Sequence, residues 1–164
     1  KAISRMKLGQ VDALTTANIG KFHGGSATNI IADEVTLEAE ARSHDDQSIN
    51  KQVKHMKETF ETTANELGGQ AEVLVEKSYP GFEVNETDKV TQYAISSALA
   101  LGLKGDTCIA GGGSDGNIMN QYGIPSVILG VGYENIHTTS ERIAIKDMYI
   151  LTRQIIKIIE LVAE

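Results

Sequence analysis

The sequence predicts two units, an α+β unit followed by an α/β unit, and three observations carry that expectation. Between residues 16 and 76, stretches with a period of two flank one long stretch with a helical period. The segment Ser78-Tyr79-Pro80-Gly81-Phe82 then interrupts any regular element, because Pro-Gly cannot continue a helix or a central strand. Beyond it, helical periods alternate with short apolar runs bounded by glycine, the pattern of an α/β sheet. The predicted boundary gives one unit at residues 1–77 and a second at 78–164.

Lys1 to Gly9 reads as the last turns of a helix: Ile3 and Met6 are three apart, Lys7 suits the negative C-terminal end, and Gly9 is a natural residue just beyond it. No initiator methionine and no capping residue precede Lys1, so the start of that helix is expected upstream, in a longer polypeptide. Strands are expected from Thr16 to Gly24 and from Thr28 to Arg42, with Gly24, Gly25 and Ser26 as the hairpin turn. In the second strand Val35, Leu37, Ala39 and Ala41 alternate with Thr36, Glu38, Glu40 and Arg42, which implies one buried and one polar face. Ile49, Val53, Met56, Phe60, Ala64 and Leu67 then recur at helical spacing; Asp45 or Asp46 can cap that helix and Gly68-Gly69 ends it. Ala71 to Glu76 alternates again and reads as a further strand. Helix end, strand, strand, helix, strand is a ferredoxin-like sandwich lacking its first strand and the start of its first helix.

In the second unit, Val90, Ala94, Ala98 and Leu101 mark a helix, Thr107 to Ala110 a short strand, and Gly111-Gly112-Gly113 a turn. A short helix ends at Gly123, and Ser126 to Val131 reads as a strand buried on both faces. The final helix points Met148, Leu151, Ile155, Ile158, Ile159 and Val162 inward.

Composition narrows the function. The 164 residues carry a net charge of -7, which opposes binding to nucleic acid or to an anionic membrane. Cys108 is the single cysteine, so no internal disulfide forms, and a reducing cytoplasm suits the chain. No apolar run approaches the roughly 18 to 20 residues of a membrane span, and no signal peptide is visible.

Two groups of residues carry candidate chemistry. His137 follows the C-terminal end of the predicted strand 126–131, where open α/β sheets tend to place ligand sites, although a loop histidine needs no such role. The bare backbone of Gly111, Gly112 and Gly113 lets a ligand approach closely, and Ser114 with Asp115 opens the next helix; the same residues also make an ordinary strand-to-helix turn capped by Asp115. A nucleotide loop is disfavoured, because its lysine is missing. Asn29 is a natural turn residue and an amide donor, while Arg42 offers a planar fork for a carboxylate or an exposed ion pair with Glu40 or Glu38. His44-Asp45-Asp46 is read as a solvated helix start, His55 with Glu58 as helix surface, and His23 as a residue near the hairpin turn.

The run GGGSDGN, then GIP, an apolar strand and GYENIHTTSE at this separation resembles the C-terminal end of the peptidase T-like dinuclear zinc aminopeptidases, relatives of aminoacylase and carnosinase. The stretch TNIIADEVTLEAEAR resembles the lid domain of the same family. The resemblance implies a ferredoxin-like lid, or dimerisation, domain followed by the C-terminal part of an α/β zinc-peptidase catalytic domain. It implies His137 as a zinc ligand, Gly112, Gly113 and Ser114 as substrate contacts, and Asn29 and Arg42 as lid residues that hold the substrate. A complete site of this family holds two zinc ions; the other ligands and the general base precede the lid and have no counterpart in Lys1 to Glu164. The expected whole is a cytoplasmic tripeptidase-type metallo-aminopeptidase, a homodimer through the lid, acting on short peptides, and this portion alone is expected to be inert. Two further readings stand beside it: a dimerisation or binding module without catalysis, and a related hydrolase of N-acyl amino acids or dipeptides.

Overall fold

The structure, a computed structural model, describes residues 1–163 and divides into two compact units, Lys1–Ser78 and Tyr79–Glu164. The first is built from a short helix α1 (Ala2–Arg5), strands β1 (Gly9–Gln10), β2 (Thr15–Gly24) and β3 (Val35–Ser43), and a long helix α2 (Asp46–Glu66). The strands form an antiparallel sheet in the order β1-β2-β3, and α1 and α2 pack against each other and α2 against the sheet. Thr15 pairs with Ser43 and Ile19 with Ala39; past that point Lys21 pairs with Glu38, so Gly20 is an extra residue that bulges β2.

The hairpin is shorter than expected on one side. Gly24 pairs with Val35, which leaves nothing in β2 to bond residues 28–34, and these join a loop with a turn in which Ile30 N donates to Ala27 O at 3.3 Å. Gly9 does not close the first helix: Met6 does so in an extended conformation, and Gly9, at φ 74°, opens β1 instead. The expected alternation along β3 holds only near its base side, where Leu37 and Ala41 are half-buried while Val35 and Ala39 remain exposed. Residues 71–76 form no strand, since an isolated extended segment has no ladder and the described residues supply no partner for it.

The interior of this unit is largely polar. Thr15 and Ala17 are almost fully buried, as are Gln52, Met56 and Thr63 on α2. Thr15 Oγ1 lies 2.9 Å from Ser43 Oγ, which also accepts from Asp45 N at 3.1 Å, and Gln52 Nε2 donates to Lys7 O at 2.8 Å. These bonds satisfy groups that would otherwise be costly to bury. Asp45 is the N-cap of α2, its carboxylate accepting from Ser48 N at 2.6 Å.

The second unit contains α3 (Lys89–Ala100), α4 (Asp115–Gln121) and α5 (Ile145–Ala163). Helices α3 and α5 pack together, and Gln154 Nε2 donates to Ala94 O at 3.2 Å across them. The expected strands at 107–110 and 126–131 do not form: a parallel strand needs a neighbour from a distant part of the chain, and none among the described residues pairs with either run. Ile128 is accordingly half exposed rather than buried on both faces, and Ile109 is 79% exposed. On α5 only Leu151 and Ile158 of the expected inward set are half-buried; Met148, Ile155, Ile159 and Val162 face away from the one stripe that α3 covers and stay exposed. No helix among the described residues is long and apolar enough to cross a membrane.

Candidate functional site

The loop that carries His137 is closed at its base by main chain and side chain together. Glu134 N donates to Arg142 O at 2.8 Å and Arg142 N to Glu134 O at 3.1 Å, while the Arg142 guanidinium reaches the Glu134 carboxylate through Nε at 2.8 Å and Nη2 at 2.6 Å. Inside this clasp Asn135 and His137 both adopt left-handed backbone conformations, φ 55° and 63°. Such a geometry costs a non-glycine residue about 1–2 kcal/mol, so the surrounding bonds must hold it. They do so directly: His137 N donates to Glu141 Oε2 at 2.7 Å, and Thr138 Oγ1 donates to Asn135 O at 2.7 Å. The His137 side chain is exposed, and no hydrogen bond among the described residues engages its ring.

As a metal donor, His137 therefore fits as a single ligand and no more. No group of three or more His, Cys, Asp or Glu residues among those described is placed to hold an ion. One imidazole does not retain zinc, which takes three or four protein ligands.

The glycine turn leads directly into α4. Open space surrounds Gly111 and Gly112, whereas a Cβ on Gly113 would overlap the ring and hydroxyl of Tyr79. The turn ends in a capping box: Ser114, not Asp115, is the N-cap of α4, its Oγ accepting from Gly116 N at 3.2 Å, and Asn117 Oδ1 accepts from Ser114 N at 2.9 Å. Asn117 is buried and uses its Nδ2 to donate to Pro80 O at 2.9 Å, tying the 79–80 segment to the turn. Asn120 makes the corresponding link onward, donating to Ser126 O at 2.9 Å and accepting from Ser126 N at 3.1 Å. These two asparagines were not legible as site residues, although the S-x-x-N spacing of Ser114 and Asn117 is a capping signature.

Asn29 and Arg42 lie in the first unit, and the structure does not bring them together. Asn29 sits in the turn at the hairpin tip, while Arg42 lies opposite Thr16 near the other end. From Val35 to Arg42 the strand advances roughly 23 Å. Arg42 Nη2 contacts Glu40 Oε2 at 3.0 Å, the exposed same-strand ion pair that the sequence offers as an alternative to substrate binding.

Of the remaining histidines, only His55 makes a side-chain hydrogen bond among the described residues. His44 N donates to Leu14 O at 3.4 Å, His55 Nε2 accepts from Lys7 N at 3.3 Å, and His23 lies opposite Thr36 near the hairpin tip. The carboxylates whose protonation the fold perturbs are structural. Hydrogen bonds from Ser48 hold the Asp45 carboxyl below its ordinary range, the Lys21 ammonium does the same for Glu38, and Leu14 N for Asp12.

Residues 2–68 match the peptidase dimerisation domain family. A crystal structure of a tripeptidase from Staphylococcus aureus is similar over 99% of this chain, at 67% identity and a TM-score of 0.89, and the aminopeptidase PepT from Bacillus cereus over 100%, at 47% identity and a TM-score of 0.82. The uncharacterized protein YqjE of Bacillus subtilis is 46% identical over 160 residues. The chain spans 43% of the length of the S. aureus and B. subtilis proteins and 44% of the B. cereus one. Residues 2–68 are thus an M20 peptidase dimerisation domain, and the chain as a whole is similar to a tripeptidase and to an aminopeptidase of the PepT type.

Proposed function

We propose that this chain is the portion of a zinc-dependent tripeptidase-type aminopeptidase that supplies the lid and dimerisation domain, residues 1–77, and the C-terminal part of the catalytic domain, residues 78–164. The observation that carries the reading is the 67% identity to the S. aureus tripeptidase along 99% of the chain. The parent removes the N-terminal residue of short peptides in the cytoplasm and works as a homodimer through the lid.

Each unit contributes what its own residues can do. Arg42 suits the carboxylate of a peptide, because a guanidinium makes paired charge-assisted bonds, and Asn29 offers an amide to a polar group. Gly112, Gly113 and Ser114 suit a peptide backbone, since Gly112 borders open space, Gly113 adds no side chain of its own beside Tyr79 and the Ser114 hydroxyl remains free to donate. His137 is held in a preset backbone geometry, and its exposed imidazole offers a nitrogen donor to an ion. Polarising a scissile carbonyl and activating a water, the chemistry that bound zinc supplies, draws on ligands beyond these residues, so the 164-residue chain alone is inert. The check is to measure zinc content and tripeptide turnover of that chain and of the full-length protein. Turnover with stoichiometric zinc in the 164-residue chain, or none in the full-length protein, overturns the reading.

The match of residues 2–68 to a dimerisation domain supports a second reading, in which the chain stands as a pairing module without catalysis. A mass that doubles with concentration, together with a full-length protein that cleaves no peptide, favours it.

A further inference from the structure

We propose that Tyr79 is a specificity-determining residue of the glycine turn, its ring walling the Gly113 side and its hydroxyl hydrogen-bonding a peptide laid along Gly111 and Gly112. The inference rests on the reading of that turn as a peptide contact.

Four observations point to it. Open space adjoins Gly111 and Gly112, but Gly113 abuts the Tyr79 ring so closely that a Cβ there has no room. The turn is thus open along two residues and closed at the third. The ring does not reach this position by chance rotation of a loose segment: the next residue, Pro80, is bound through its carbonyl to Asn117 Nδ2 at 2.9 Å, and Asn117 is 7% exposed. Through its Oδ1 the same amide holds Ser114 N at 2.9 Å, so a single buried side chain fixes both the segment that carries Tyr79 and the end of the glycine turn. Finally, Tyr79 is 38% exposed and its hydroxyl has no hydrogen-bond partner among the described residues, which leaves a donor and acceptor at the rim of the open stretch.

A phenol in this place does two separable things. Its flat apolar face excludes a bulky group from the Gly113 end of the turn, and its hydroxyl pairs with a peptide N–H or carbonyl. Removing the hydroxyl removes only the second; removing the ring removes both.

The experiment uses the full-length protein and a panel of tripeptides that differ in side-chain size at each position, assayed for KM and kcat in the parent, Tyr79→Phe and Tyr79→Ala. The expected result for Tyr79→Phe is a ~3- to 10-fold rise in KM with kcat within about two-fold, the loss of one neutral hydrogen bond. For Tyr79→Ala the expected result is the same rise together with a shift of preference toward bulkier side chains at one peptide position. KM and preference within about two-fold of the parent in both variants overturn the assignment. Thermal melting separates these effects from loss of structure, and if Tyr79→Ala does not fold, Tyr79→Phe decides alone. If the parent cleaves the peptides and the variants behave like it, only the role of Tyr79 falls; if the parent neither cleaves nor binds them, the peptidase reading falls with it.

Discussion

The two units solve the problem of satisfying their backbone in different ways. In the first, β2 finds its partner in β3 across the loop of residues 25–34, and α2 covers the sheet with Met56, Gln52 and Thr63 buried beneath it. In the second, the runs at 107–110 and 126–131 have strand-like sequences without a hydrogen-bonded neighbour among the described residues, and the order comes from helix caps and asparagine bridges. The lesson is that local partners make an element independent of the rest of the chain. A strand-like run that finds no partner keeps its apolar residues exposed, as Ile109 and Ile128 do.

This contrast can be broken or sharpened. On the proposed metal role of His137, the largest effect is that of His137→Ala in the full-length protein, which should lower kcat/KM for tripeptides by at least about 100-fold, more than loss of a supporting residue around a metal, with thermal stability little changed. Zinc content and melting temperature, measured together, check it. Next comes the interior of the first unit, where Met56→Ala should cost about 2–4 kcal/mol in urea unfolding because its side chain is 7% exposed. Met148→Ala, on the exposed face of α5, should cost under about 0.5 kcal/mol in the 164-residue chain; equal losses for the two would erase the distinction between the units.

Asn117→Ala tests the bridge in the second unit. It leaves Pro80 O and Ser114 N without their partner and should cost about 1–3 kcal/mol, seen as a lower unfolding midpoint of the second unit with the first unchanged. The smallest effect is a pH dependence in the first unit. Because the Asp45 carboxyl titrates below its unfolded value, its capping contribution is present above the ordinary carboxylate range and is lost as pH falls through the lowered folded value. Helicity of α2 should therefore decline in acid, and Asp45→Asn, which keeps a capping oxygen, should flatten that decline when followed by circular dichroism.

Much of the fold was legible because its signals are local. The helical recurrence from Ile49 to Ala64, Asp45 as cap and Gly68 at φ 78° beyond its end need only neighbours in sequence. The register of the hairpin was not: Thr28 to Glu34 look as strand-like as Val35 to Arg42, and only the ending of β2 at Gly24 decides which of them pairs. Among the candidate site residues, the loop of His137 was legible as a place, but its clasp by Glu134 and Arg142 was not, because eight residues separate two ordinary surface charges. The link from Asn117 to Pro80 spans 37 positions and leaves no pattern at all.

By itself, then, the sequence determined which segments are helical and where α2 begins and ends, since each depends on torsional preference and spacing within a few residues. Only the tertiary structure decided where β3 begins, which apolar faces are covered, and that Tyr79 closes one end of the glycine turn while Arg42 pairs with Glu40. Those outcomes turn on which distant groups meet, and a hydrogen bond or a packed ring is a property of two places in the chain rather than one.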